Sequence, residues 1–259
     1  MNYELKKVEM TTYNIYPMVL AQCESPEPRV FYLGQPEGTV PTVFLFWLLK
    51  SGERNVLVDT GFTAEFCAKF MPDVVVKPQQ HPLKQLKGFG VEPEDIDIVV
   101  VTHAHFDHLS EVVHKYSKAQ IFIQRSEYEF VTNPPHPWFG EMVDQQTIRS
   151  LAEQGPPRFN LLEGDSQVAP GISTVQTPGH TFGHQSVLVD TEKARACIAG
   201  DAAFFYRNLE DDIAPGFNCN LIDSLLSLRR LRDLQQSGVI ILPGHEPAIF
   251  KLYNQMPIL

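Results

Sequence analysis

The sequence predicts an α/β fold, and three observations support this prediction. Short apolar runs recur along the 259 residues, and several lack polar alternation, as expected of strands that are covered on both faces. Stretches with apolar residues three or four positions apart lie between and after these runs, as expected of amphipathic helices. Several of the apolar runs end close to a histidine or an aspartate, so polar chemistry gathers at strand ends.

Strands are predicted in two successive groups of apolar and β-branched residues. The first group lies at 4–10, 42–49, 55–59, 96–102 and 120–124. The second group lies at 160–163, 172–177, 185–190, 195–200 and 239–242. Because runs in both groups are continuously apolar, we expect helices or a second sheet to cover both faces of these strands.

Helices are predicted where the apolar spacing changes, at 82–87, 109–116, 126–131, 142–154 and 221–236. The last of these carries Leu221, Leu225, Leu228 and Leu231 at helical spacing, with arginines on its other faces. Gly238 follows it as a stop signal, since glycine readily ends a helix. The sequence therefore predicts a long amphipathic helix near its carboxyl end.

Composition is typical of a globular protein, with 43% hydrophobic and 20% charged residues. The length allows one or two domains, but no Ser/Gly-rich linker or break in composition divides the chain, so a single domain over 1–259 is expected. The formal net charge of −10 argues against a nucleic-acid partner, because phosphate backbones attract basic surfaces.

Cysteine usage and the apolar runs indicate the compartment. The 4 cysteines form no C-x-x-C pair and do not suggest a disulfide scaffold, and Cys197 is expected to be a small core residue. The charged segment 1–8 has no apolar signal core. The longest apolar run, 43–49, is too short to cross a bilayer. We therefore expect a cytoplasmic protein that has no membrane partner.

The segment from His103 to His108 carries the strongest functional signal. It reads His103-Ala-His105-Phe-Asp107-His108 and directly follows the predicted strand 96–102. Residues i and i+2 of an extended chain point to the same side, so His103 and His105 can face one cation. Asp107 and His108 follow after a bend and can face a second point nearby. This spacing predicts a metal site, with room for two cations.

Three later strand ends carry the same chemistry. His180 follows the run 172–177, Asp201 follows the run 196–200, and His245 follows the run 239–242. A glycine precedes each of them, and glycine permits the backbone angles and close approach that aim a ligand inward. Their shared context predicts one convergent site at an edge of the sheets.

The pattern H-x-H-x-D-H, followed by His, Asp and His, resembles the metallo-β-lactamase superfamily, and within it the chain is most similar to the N-acyl homoserine lactonases. The similar stretches are 58–61, 103–108, 124–129, 163–165, 170–171 and 177–186. The resemblance implies an αββα sandwich. It also implies a hydrolase that opens an N-acyl homoserine lactone, or another small lactone, as a monomer or homodimer.

The resemblance further implies a ligand set. It assigns His103, His105 and His180 to one metal and Asp107, His108 and His245 to the other, with Asp201 bridging the two. These ligands suit Zn and also Fe, Mn or Co. Superfamily β-lactamases commonly have Cys or Ser in place of Asp201, and oxygen-reducing relatives usually have Glu in place of His105. Both residues therefore favour a dinuclear hydrolase.

Roles in catalysis follow from the same resemblance. A hydroxide held between two metals is expected to attack the lactone carbonyl. Asp107 is the candidate to carry a proton to the leaving oxygen, and Asp59 is expected to orient a ligand histidine. His184 has no ligand position and is expected to have a structural or orienting role.

The chain departs from the lactonase pattern at Phe204. These lactonases carry a tyrosine three residues after the bridging aspartate, where its hydroxyl can contact the substrate. Phe204 lacks that donor, and Tyr206 is a candidate replacement. Trp138, in an aromatic loop, is a candidate for the pocket wall. Another lactone therefore remains an alternative substrate, as do a thioester, a phosphotriester or another ester on the same metals.

Overall fold

The apolar runs of the sequence assemble into two β-sheets that pack face to face. The computed structural model describes residues 11–153 and 158–252, with helices on the outer face of each sheet. The predicted strand at 4–10 and the last residue of the predicted helix 142–154 lie outside the described residues. The layers follow the order helix, sheet, sheet, helix, which is the expected αββα sandwich.

Among the described residues, the first sheet has 6 strands in the order β1 to β6. The strands are β1 (Asn14–Pro26), β2 (Thr39–Lys50), β3 (Asn55–Val58), β4 (Ile98–Val100), β5 (Gln120–Gln124) and β6 (Phe159–Leu162). Strands β1 to β3 pair antiparallel, and β3 to β6 pair parallel. Parallel neighbours end at the same edge, so the segment after β4 opens onto that edge.

The second sheet, in the part of the chain that the structure describes, has 5 strands in the order β11-β10-β9-β8-β7. The strands are β7 (Ser166–Ala169), β8 (Ile172–Gln176), β9 (Gln185–Asp190), β10 (Arg195–Gly200) and β11 (Ile240–Pro243). Strands β10 and β11 run parallel, and the other pairs are antiparallel. The loops after β8, β10 and β11 therefore leave the sheet at one edge.

Successive side chains of β2 point to opposite faces of the first sheet, so this strand contributes to the core on each face. Val43, Leu45, Trp47 and Leu49 face the second sheet, whereas the residues between them face the helices. Val187, Val189 and Ile198, among others, meet them from the second sheet. This two-sided burial explains why the run is continuously apolar.

Helices cover the outer face of the first sheet. They are α2 (Ala64–Phe70), α3 (Pro82–Gly88), α4 (Arg125–Thr132) and α5 (Gln145–Glu153), while α1 (Glu27–Val30) follows β1. Short 3₁₀ turns lie at Pro78–Gln80, Pro93–Asp95, Glu111–Lys115 and Pro137–Gly140. The predicted helices 82–87 and 126–131 are confirmed, and the one at 142–154 begins later, at Gln145. The helix predicted at 109–116 is wrong, because the Ser110 backbone N–H is bonded to Thr60 and only a 3₁₀ turn follows.

The outer face of the second sheet packs against α7 (Leu221–Gln236), with α6 (Tyr206–Glu210) before it and α8 (Pro247–Leu252) after β11. The predicted bounds of α7 are confirmed, and Leu228 and Leu231 are buried on it together with Cys197 of β10. Leu225 is exposed, however, so the regular leucine face is only partly correct.

Serines take the place of leucine on the buried side of α7 near its start. Ser224 and Ser227 are buried, and Ser227 Oγ donates to the Pro178 carbonyl at 2.6 Å. A Cβ at Gly179 would overlap the Ser224 backbone. The small side chains thus let the loop that carries His180 lie directly on α7.

The strand β1 was not predicted from sequence. It contains Pro17 and alternates irregularly, but it pairs with β2 over nearly its full length. Proline is tolerated because β1 is an edge strand of this sheet. The short elements α1, α2, α6, α8 and β7 were also not predicted. No helix in the described part of the chain combines the length and hydrophobicity that crossing a bilayer requires.

We predict that Leu228→Ala lowers the free energy of unfolding by about 2–5 kcal/mol, because it leaves a cavity in the core between α7 and the second sheet. Leu226→Ala is the matched control, since Leu226 lies on the same helix and is 58% exposed. We expect it to change stability by about 0.5 kcal/mol at most. Urea unfolding followed by circular dichroism measures both, and equal losses would contradict the assigned burial.

Candidate metal centre

The candidate ligands all lie where strands end at one edge of the sandwich. His103, His105, Asp107 and His108 follow β4 of the first sheet. The remaining three follow strands of the second sheet: β8 precedes His180, β10 precedes Asp201 and β11 precedes His245. All seven side chains are buried, and the structure brings them into one cluster.

One set of ring nitrogens converges from His103, His105 and His180. Nδ1 of His105 lies 2.9 Å from Nε2 of His103 and 2.9 Å from Nε2 of His180. Three nitrogens that surround one point in this way form the usual facial arrangement of an imidazole metal site.

A second set is formed by Asp107, His108 and His245. Oδ2 of Asp107 lies 3.4 Å from Nε2 of His108 and 3.9 Å from Nε2 of His245. This set mixes a carboxylate with imidazole and faces the same cavity as the first.

Asp201 lies between the two sets and presents one oxygen to each. Its Oδ2 is 3.1 Å from Nε2 of His180 and 3.8 Å from Nε2 of His103. Its Oδ1 is 3.1 Å from Nε2 of His245 and 3.2 Å from Nε2 of His108. This is the geometry that a carboxylate needs to bridge two cations.

The outer nitrogens of the rings determine where the protons lie. His180 Nδ1 donates to the Phe217 carbonyl at 2.7 Å, and His245 Nδ1 donates to the Val43 carbonyl at 2.8 Å. Because a carbonyl only accepts, the inner nitrogen of each neutral ring carries a lone pair. These lone pairs point at the oxygens of Asp201, so acceptors face acceptors.

The same argument about the position of the ring proton applies to His108. Its Nδ1 donates to Asp59 Oδ2 at 2.7 Å, while its Nε2 is buried without a hydrogen-bond partner among the described residues. Asp201 Oδ1 is likewise buried without one. Buried acceptors that face one another are costly unless a cation lies between them. The residues present therefore fit two bound cations.

The pKa directions divide the rings into two groups. Burial lowers the pKa of His105 to about 4 and that of His180 to about 3, so both rings are neutral at neutral pH. Burial alone would lower the pKa of His108 and of His245, but neighbouring carboxylates raise the pKa of His108 well above its usual value and also raise that of His245. A cation at either of these rings would displace the proton from the inner nitrogen. Burial alone would raise the pKa of Asp201, but His245, His108 and His180 hold it well below its usual range. Neutral imidazoles and an ionised carboxylate are the forms that bind metals.

Asp59 lies beneath the cluster, where it holds His108 in place. Besides the bond to His108, its Oδ1 accepts the Thr102 backbone N–H at 2.8 Å. Thr102 Oγ1 donates to Asp59 and therefore accepts from His103 Nδ1, at 3.2 Å. Asp59 has a φ of +66°, a conformation that few non-glycine residues adopt. The strained turn thus brings one carboxylate under two candidate ligands.

A cavity that is partly open to solvent adjoins the cluster. Phe204 and Phe217 line it, and the Phe204 ring centre lies 4.8 Å from that of His245. The other apolar lining residues are Val30, Phe44, Met71, Phe106 and Met142. Its polar lining outside the cluster is Ser25, Arg29 and Thr42.

The structure does not bring every candidate pocket residue into this cavity. Trp138 is 49% exposed and does not line the cavity, but its ring centre lies 6.2 Å from that of Phe217, which does. Tyr206 begins α6 and is not among the residues that line the cavity. Phe205 does not line the cavity either, and it packs with Val30, Phe31 and Phe204.

Sequence reasoning identified Asp59 as a support of the ligands but missed Glu127. Glu127 is buried and accepts the backbone N–H groups of Ala104 and Gly183, at 2.9 and 3.0 Å. Its carboxylate therefore ties the first histidine loop to the loop that follows His180. The only sequence signal for Glu127 was its place just after an apolar strand, within the stretch 124–129 that resembles the lactonases.

The fold and this cluster agree with the known proteins to which this sequence is similar. Residues 41–245 match the Metallo-beta-lactamase superfamily, and the chain belongs to that superfamily. An N-acyl homoserine lactonase of a Bacillus species is 29% identical over 252 residues, which cover 92% of this chain and 94% of the relative. The N-acyl homoserine lactonase AttM of Rhizobium johnstonii is 26% identical over 82% of this chain and 85% of its own.

A solved structure is similar to this chain in both sequence and fold. It is an N-acyl homoserine lactone hydrolase with the product N-hexanoyl-L-homoserine bound at its catalytic metal centre. The two chains are 25% identical and superpose with a TM-score of 0.78 over 93% of this chain and 96% of the other.

We predict that Asp59→Asn weakens metal binding by about 10- to 100-fold, because the His108 ring loses its charged hydrogen-bond partner. The exposed Asp73→Asn is the control and should bind as wild type does. Competition with a chromogenic chelator measures both affinities. Equal affinity of the two variants would show that Asp59 does not orient a ligand.

Proposed function

We propose that this protein is a dinuclear metal-dependent hydrolase that opens the ring of a small lactone. The observation that carries the proposal is the position of Asp201, whose two oxygens face two different sets of histidines beside an apolar cavity. Activity toward N-acyl homoserine lactones is supported by the names of the relatives and by the product bound in the related structure.

The metal assignment is part of this proposal. His103, His105 and His180 would hold one cation, Asp107, His108 and His245 the other, and Asp201 both. The donor set suits Zn, and Fe, Mn or Co would also fit. When bound, two such cations activate water at neutral pH and polarise the carbonyl under attack.

The chain's own residues would then orient the substrate and move a proton. Asp107 lines the cavity and has the carboxylate that we assign to proton transfer onto the leaving ring oxygen. The apolar wall, with Phe44, Phe204 and Phe217, would hold an acyl chain or ring. Phe204 supplies surface there but no hydrogen bond, so lactones that carry their own polar group remain candidates.

We predict that chelator-treated protein loses lactone hydrolysis and regains it on addition of two equivalents of Zn, Mn or Co. The loss and recovery of activity are measured on a panel of lactones, with ring opening detected by the release of protons. Thioester and phosphotriester panels, run on protein of known metal content, test the alternatives. Two bound metals with no turnover of any lactone would contradict the proposal.

We predict that Phe204→Tyr raises kcat toward N-acyl homoserine lactones by up to about 10²-fold, because a hydroxyl in the cavity can stabilise the developing oxyanion. Phe205→Tyr is the matched control, since Phe205 packs against Phe31 and does not line the cavity. A gain confined to Phe204→Tyr would indicate that the natural substrate is a different lactone. Loss of activity in that variant would show that the cavity is shaped for the phenylalanine.

A further inference from the structure

Asp201 differs from the surrounding histidines in how its side chain is held. The outer nitrogens of His108, His180 and His245 each make a hydrogen bond of 2.7 to 2.8 Å to a group outside the cluster. Within residues 11–153 and 158–252, no such group bonds the carboxylate of Asp201, and its Oδ1 has no hydrogen-bond partner. The position of this carboxylate therefore depends on the backbone that carries it.

That backbone is anchored by a buried chain of hydrogen bonds. Ser186 Oγ donates to the Ala199 carbonyl at 2.9 Å. The hydroxyls of Ser186 and Thr177 are 2.8 Å apart, and Thr177 Oγ1 is 2.9 Å from His184 Nδ1. The Asp201 N–H donates to His184 Nε2 at 2.9 Å. The chain thus connects the last residues of β10 to the first residue after it.

The direction of each proton follows from the two ends of this chain. The Ala199 carbonyl can only accept, so Ser186 uses its proton there and accepts from Thr177. Thr177 then has no proton left, so His184 Nδ1 must donate to it. His184 Nε2 consequently carries the lone pair that the Asp201 N–H requires. Only the neutral ring with its proton on Nδ1 completes the chain.

The His184 ring is fully buried and packs against the turn itself. A Cβ at Gly200 would lie 2.8 Å from His184 Nε2, and Gly200 has a φ of +53°. Because Nε2 is already used by the Asp201 N–H, His184 does not belong to the groups of side chains that could hold a cation.

We propose that His184 is a positioning residue for Asp201. Through Thr177 and Ser186 it fixes the turn so that the two oxygens of the carboxylate face the two histidine sets. The inference rests on the proposed function, because a shared carboxylate matters only if two cations bind. Disrupting the chain should therefore weaken both cation sites together.

The proton positions can be tested in the wild-type protein by nitrogen-15 NMR of labelled histidine. We expect His184 to be protonated at Nδ1 and unprotonated at Nε2, both with and without added Zn. The opposite tautomer, or a doubly protonated ring near neutral pH, would overturn the inference. This measurement needs no variant and so does not depend on how a substitution affects folding.

The coupling to both sites can be tested with a matched pair of variants. Thr177→Val keeps the side-chain shape but removes the hydroxyl, and we expect both Zn-binding steps to weaken by about 10- to 100-fold. Thr177→Ser retains the hydroxyl and should bind as wild type does. With Mn²⁺ in both sites, electron paramagnetic resonance should show altered coupling between the ions only in Thr177→Val.

Two outcomes separate the two proposals. If wild-type protein binds fewer than two cations, both the proposed function and this inference fail. If wild type binds two and Thr177→Val matches Thr177→Ser in affinity and coupling, the inference alone fails. Circular dichroism of the metal-free variants establishes that the fold is retained, and the exposed His136→Gln controls for loss of a histidine remote from the cluster.

Discussion

The structure depends on one electrostatic constraint, namely that buried hydrogen-bond acceptors face one another across the end of the sandwich. The rings of His180 and His245 donate outward to main-chain carbonyls, so in the neutral rings the inner lone pairs face the Asp201 carboxylate. Each buried polar group left unpaired costs about 1–3 kcal/mol. If cations bind between these groups, they offset that cost, and metal binding is then linked to folding.

The two sheets make this constraint possible because the strands that carry the ligands end at the same edge. The first sheet contributes a local cluster after β4, whereas the second sheet contributes one residue after each of three strands. Close contacts with glycine bring the loops together: Gly179 lies on Ser224 of α7, and Gly183 lies on Glu127 of α4. The polar serines on the buried side of α7 are therefore part of the site's support.

Much of the fold and the whole candidate cluster could be predicted from sequence, for physical reasons that differ between residues. The segment from His103 to His108 is local, so its spacing alone indicates a site. His180, Asp201 and His245 were identified because each follows a glycine at a strand end. The carbonyls that orient the rings could not be predicted, since every residue has one and only tertiary structure selects Val43. Strand β1 was missed because its pairing with β2 outweighs its own weak pattern.

The bond between His245 and the Val43 carbonyl joins groups 202 residues apart. During synthesis on the ribosome, β2 and the first histidines emerge long before β11. Until the last strand docks beside β10, the second set of ligands lacks a member. Contacts of such long sequence separation form slowly. If cations bind here, the second ligand set can be completed only after β11 has docked beside β10, so loading of the full candidate centre would come late in folding.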